Sequence, residues 1–129
     1  MKTSIPITAF FIIIGSILAS ACSQQGGAAD SVLAYLQALS SRDENRVVLS
    51  SCAAWEGQAR TELEAFSAVS VSLENASCSE AGTDGDFTLV DCTGKIIANY
   101  GNEILEIDLS ERTYQTVYEG GEWRMCGYQ

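Results

Sequence analysis

Apolar residues change their spacing once along the mature part of this chain, near residue 67, and the change divides a helical half from a strand half. Within residues 30 to about 40, Val32, Leu36 and Leu39 recur at helical spacing, with Leu33 and Tyr35 beside them. That spacing predicts a helix with one apolar face, whose free amides Asp30 or Ser31 can cap. Ser41-Arg42-Asp43-Glu44 matches the S-x-x-E capping box and predicts the start of a second helix carrying Val47, Val48 and Leu49. Trp55, Ala59, Leu63 and Phe66 form a third helical stripe, which Cys52 joins if the helix is continuous. Glu56, Arg60, Glu62 and Glu64 are expected mostly on its wet side.

Beyond this point the period drops to two. Residues 68–77 alternate, with Val69, Val71 and Leu73 on one side. Ala81-Gly82-Thr83-Asp84-Gly85-Asp86 is a turn signal, and residues 87–100 are the next strand region, interrupted by Gly94. Gly101-Asn102 marks another reversal, followed by strand patterns at 104–109 and 113–119. Gly120-Gly121 is a tight-turn pair, and residues 123–128 form the closing strand. Helices followed by an antiparallel meander give an α+β domain over residues 30–129, with helices packed on a curved sheet. No internal repeat or second domain is visible.

Residues 1–29 follow neither pattern. Met1-Lys2 is a short basic start, and residues 5–18 are uncharged and rich in branched apolar side chains. Ala19-Ser20-Ala21 then offers a small-residue cleavage site, so residues 1–21 read as a secretory signal. The apolar run is short for a membrane span. The site reads two ways, both cutting before Cys22. It fits ordinary signal peptidase, and with Cys22 it resembles a bacterial lipobox, although Leu18 sits one position earlier than the usual leucine. Lipid on Cys22 places the protein at the extracytoplasmic face of the cell membrane, with membrane contact through the acyl chains. Residues 22–29 are small and uncharged, as a flexible tether would be.

Cysteine counting bears on that choice. The chain has 5 cysteines, an odd number for an exported protein. Acylating Cys22 leaves Cys52, Cys78, Cys92 and Cys126. Four cysteines allow three pairings. Cys78 and Cys92 lie symmetrically about Gly85, facing each other across the expected hairpin, which favours that pair and joins Cys52 to Cys126. Two such links suit a small exported domain with a modest core.

The net charge is −10, and losing Lys2 with the leader makes the balance still more acidic. This argues against nucleic acid as a partner, since phosphate backbones are repelled. There is no histidine, which rules out Ser-His-Asp and Cys-His arrangements. Without histidine or C-x-x-C spacing no metal site is expected, and no cofactor motif is present. Among the carboxylates Asp91, Glu106 and Asp108 stand out by falling in strand regions, where acid/base work is chemically open to them. The ordinary place for a strand carboxylate is the wet face of the sheet.

Several segments together resemble the nuclear transport factor 2-like superfamily, and more closely small bacterial lipoproteins built on that fold. They are Tyr35-Leu36-Gln37-Ala38-Leu39, Ser51-Cys52-Ala53-Ala54-Trp55-Glu56, Cys92-Thr93-Gly94-Lys95-Ile96 and the closing Glu119-Gly120-Gly121-Glu122-Trp123-Arg124-Met125-Cys126. The resemblance implies a cone, a strongly curved antiparallel sheet around helices with a cavity between them. It carries over no catalytic residue. The function expected is a non-catalytic accessory domain that binds a small apolar ligand or an envelope protein. The alternatives are a structural module forming a homodimer through the sheet face, and an isomerase or hydratase working through one cavity carboxylate.

Overall fold

The computed structural model describes residues 27–129. The leader, Cys22 and most of the expected tether lie outside the described residues. Three helices, α1 (Ala28–Ser41), α2 (Glu44–Leu49) and α3 (Glu56–Ala65), precede five antiparallel strands. The strands are β1 (Ser70–Asp84), β2 (Phe87–Asn99), β3 (Ile104–Asp108), β4 (Thr113–Glu119) and β5 (Glu122–Tyr128). The division into helices packed on an antiparallel sheet is the one the spacing predicts.

Helix α1 starts two residues earlier than its apolar stripe suggests. Ala28 is fully buried, so it belongs to the domain and not to a tether. Asp30 is not the cap residue. It sits one turn in, and its carboxylate accepts from the Gly27 amide at 3.1 Å. Val32, Tyr35, Leu36 and Leu39 form the buried face. Arg42 ends the helix in the left-handed region at φ 55°. The capping box at Ser41 is not used, because Ser41 still belongs to α1 and its hydroxyl donates back to the Ala38 carbonyl at 3.3 Å. Asp43 caps α2 instead, accepting from the Arg46 amide at 3.1 Å. Cys52 is not on α3. Its amide donates to the Met125 carbonyl at 2.8 Å, and the Met125 amide donates to the Ser50 carbonyl at 2.8 Å. The segment between α2 and α3 is thereby stitched to β5.

The sheet is organised around β2. One side of β2 pairs with β1 along its length, while the other side pairs first with β4 and then with β3. A 3-10 turn, Leu109–Glu111, separates β3 from β4, and fully buried Leu109 plugs the gap. The expected strand through Leu109 stops at Asp108 because that carboxylate accepts from the Ser110 amide and turns the chain. At the same level Gly94 of β2 has φ 105° and Asn75 of the facing β1 bulge has φ 51°. A bulge, a glycine and a turn aligned across three neighbouring strands bend the sheet there. The bend wraps the sheet toward α1, whose buried face meets Val90, Ile96 and Met125 in one core.

Both expected disulfides are present. Cys78 and Cys92 are directly opposed on β1 and β2, with Cα atoms 4.1 Å apart. Cys52 joins Cys126 of β5 at a Cα separation of 5.2 Å.

Candidate functional site

A cavity of about 130 Å³ lies between the helices and the bent sheet. That is close to the volume of an apolar cavity able to hold one benzene-sized molecule. Leu36, Leu39, Phe66, Ile96, Ile107 and Leu109 supply its apolar wall. Most of these are buried. Tyr35, Glu62, Arg112, Tyr114 and Tyr128 supply its polar lining, of which Tyr35 and Tyr114 are buried too. Glu62 and Arg112 are half-buried, which puts the charged groups toward the opening.

Two phenols from different elements converge on Glu62. Tyr35 of α1 donates its hydroxyl to Glu62 Oε2 at 2.7 Å. Tyr128 of β5 donates to Glu62 Oε1 in a short bond. The Trp55 indole donates to the Tyr35 hydroxyl at 3.3 Å, so that phenol is both donor and acceptor. Trp55 and Tyr128 meet edge to face with ring centroids 5.4 Å apart, and Tyr114 meets Tyr128 in the same way at 6.0 Å. The Arg112 guanidinium lies over the Tyr128 ring, 4.4 Å from its centroid. Among the described residues neither Glu62 nor Arg112 forms an ion pair.

The phenols respond to this setting. Burial, then the nearby Glu62 carboxylate, pushes the Tyr35 hydroxyl far above the ordinary phenol range. Burial likewise raises Tyr114 to about 12, with Arg112 pulling the other way. Tyr128 is raised by burial and by its bond to Glu62. All three stay protonated over the whole physiological range.

These shifts fix the sign of an alkaline effect. The folded state holds the three phenol protons more tightly than the unfolded chain, whose tyrosines ionise near about pH 10. Their contribution is therefore complete below about pH 10 and is lost as pH rises further. Urea midpoints should hold up to about pH 10 and fall as pH rises toward about pH 12, and a flat profile would show that the cluster does not hold its protons.

The strand carboxylates singled out from sequence do not reach the cavity. Exposed Asp91 accepts from the Thr113 hydroxyl at 2.9 Å. Exposed Glu106 pairs with Lys95 at 3.0 Å. Asp108 is held below the ordinary carboxylate range by the Ser110 hydroxyl and amide, and it shapes the 3-10 turn. The cavity carboxylate is Glu62, which the helical pattern places on the wet side. The sequence carries one weak signal for it, a spacing of three residues from Ala59 and four from Phe66, but nothing there names its partners. Glu56, Arg60 and Glu44 do form an exposed ion-pair cluster on the outer side of α3.

No protein-family model, curated protein or solved structure matches the chain.

Proposed function

We propose that this chain is a lipid-anchored extracytoplasmic protein whose domain, a nuclear transport factor 2-like cone, binds a small ligand without transforming it. One observation carries the reading: a cavity with an apolar wall carries a single carboxylate, half-buried, both oxygens of which already accept phenol protons. These hydrogen bonds engage both oxygens of Glu62, one from α1 and one from β5. They also hold it rigidly, as a recognition group requires. The apolar wall with a few fixed polar groups is the usual composition of a ligand site. The lipid on Cys22 follows from the leader and from the even set of cysteines that remains once Cys22 is acylated.

One preparation tests both halves. Protein from the membrane fraction of a bacterial host should have the mass of a chain starting at Cys22 with a diacylglycerol addition and four masked thiols. An unmodified chain sinks the anchor. The same material, titrated with isoamyl alcohol, should show amide shift changes confined to the cavity lining. Ala65→Phe, which adds a ring at the exposed α3 residue of the lining, should weaken them. Shifts scattered over the surface, or unchanged by that substitution, sink the cavity reading.

A second reading is favoured by the same tyrosines. A carboxylate flanked by two phenol donors also suits a proton-transferring isomerase or hydratase. Glu62→Gln would then abolish turnover of a substrate that the wild type converts.

A further inference from the structure

Glu62 and Arg112 are the two charged groups at the cavity. They belong to different elements, α3 and the turn before β4, and bear opposite charges. Each is half-buried and neither is ion-paired among the described residues. Holding two opposite charges partly out of water costs free energy, which the phenols on Glu62 and the ring under Arg112 offset only in part, because neither charge meets an opposite one. The cost is recovered when a third body bridges them. Glu62 has lone pairs left after accepting from Tyr35 and Tyr128, so it can still take an ammonium. Arg112 rests on the Tyr128 ring, and with no carboxylate paired to it the guanidinium fork remains available to one.

A ligand with a single charge uses this arrangement badly. A plain carboxylate would meet Glu62 as well as Arg112, in a domain whose net charge is already strongly negative. A plain amine would meet Arg112. A zwitterion answers both groups. The deep wall of Leu36, Leu109 and Ile96 wants a branched aliphatic group, and about 130 Å³ accommodates one with its polar head left at the opening.

We infer that the cavity takes an apolar α-amino acid or a close analogue, with its ammonium on Glu62, its carboxylate on Arg112 and its side chain against Leu36, Ile96 and Leu109. The inference rests on the ligand-binding reading above.

The test is a calorimetric titration of the mature protein in detergent with leucine and three relatives that lack one or both charges. Isocaproate lacks the ammonium, isoamylamine lacks the carboxylate, and isoamyl alcohol lacks both. Leucine should bind more tightly than each relative by at least about tenfold, the size expected for losing one charge-assisted contact. Arg112→Gln should weaken leucine and leave isoamylamine unchanged or improved. Glu62→Gln should weaken leucine and improve isocaproate. If isoamyl alcohol binds as tightly as leucine, the zwitterion inference is overturned while the cavity still binds ligands. If none of the four binds at millimolar concentration, both readings fall. The wild-type ligand series decides the matter even if a substituted protein fails to fold.

Discussion

Gly94→Ala should lower the unfolding free energy by more than about 3 kcal/mol, a large loss for adding one methyl group. Two effects act together. At φ 105° an alanine is strained whatever space surrounds it. The added Cβ would also lie 2.6 Å from the Glu74 carbonyl oxygen and 2.7 Å from that of Asn75. These are backbone atoms of the neighbouring strand, so the clash cannot be relieved by turning a side chain. Relief requires the β1 bulge to move, and with it the bend that closes the sheet over the cavity. Gly101→Ala is the control. Gly101 has φ 93° with nothing within 4 Å of its would-be Cβ, so it carries the conformational penalty alone. Urea unfolding of both variants separates the terms. Equal losses would mean that the close approach at Gly94 contributes nothing.

The second large effect comes from the long disulfide. Replacing Cys52 and Cys126 together by serine should cost about 4–5 kcal/mol, against about 3 kcal/mol for replacing Cys78 and Cys92. The order follows from loop length, since the pairs are 74 and 14 residues apart in sequence. The longer link restrains far more of the unfolded chain. Cys78 and Cys92 are neighbours on a hairpin whose ends are already brought together by a two-residue turn. Double substitutions avoid leaving a lone thiol. Unfolding midpoints in non-reducing urea measure both, and a reversed order would show that native-state contacts, not chain entropy, set the contribution.

The parts of this fold legible from sequence are those written in local periodicity. Val32, Leu36 and Leu39 announce α1, and alternation at Val69, Val71 and Leu73 announces the inner face at β1. The pairing of Cys78 with Cys92 follows from symmetry about Gly85, because a hairpin is a local object. What escaped depends on contacts between distant segments. Ser41 fits a capping box, but whether α1 has already ended there depends on the left-handed turn at Arg42. Gly94 is visible only as a break in a strand; its alignment with Asn75 and the 3-10 turn appears only once three strands are side by side. Glu62 is the clearest case. A carboxylate inside an apolar stripe reads as solvated unless partners are known, and its partners Tyr35 and Tyr128 lie 27 and 66 residues away.

The placement of β5 bears on how the chain reaches this state. Residues 28–39 complete their core only with Met125, and Glu62 gains its second phenol only from Tyr128. Contacts this remote in sequence form slowly, because loop closure must precede any return in free energy. A chain emerging from its N-terminus therefore cannot finish its core until residues 122–128 are free. Until then α1 lacks its contacts with β5, and Glu62 of α3 lacks its bond to Tyr128. Under the export proposed above, a chain whose core waits for β5 stays open to passage until residues 122–128 are free.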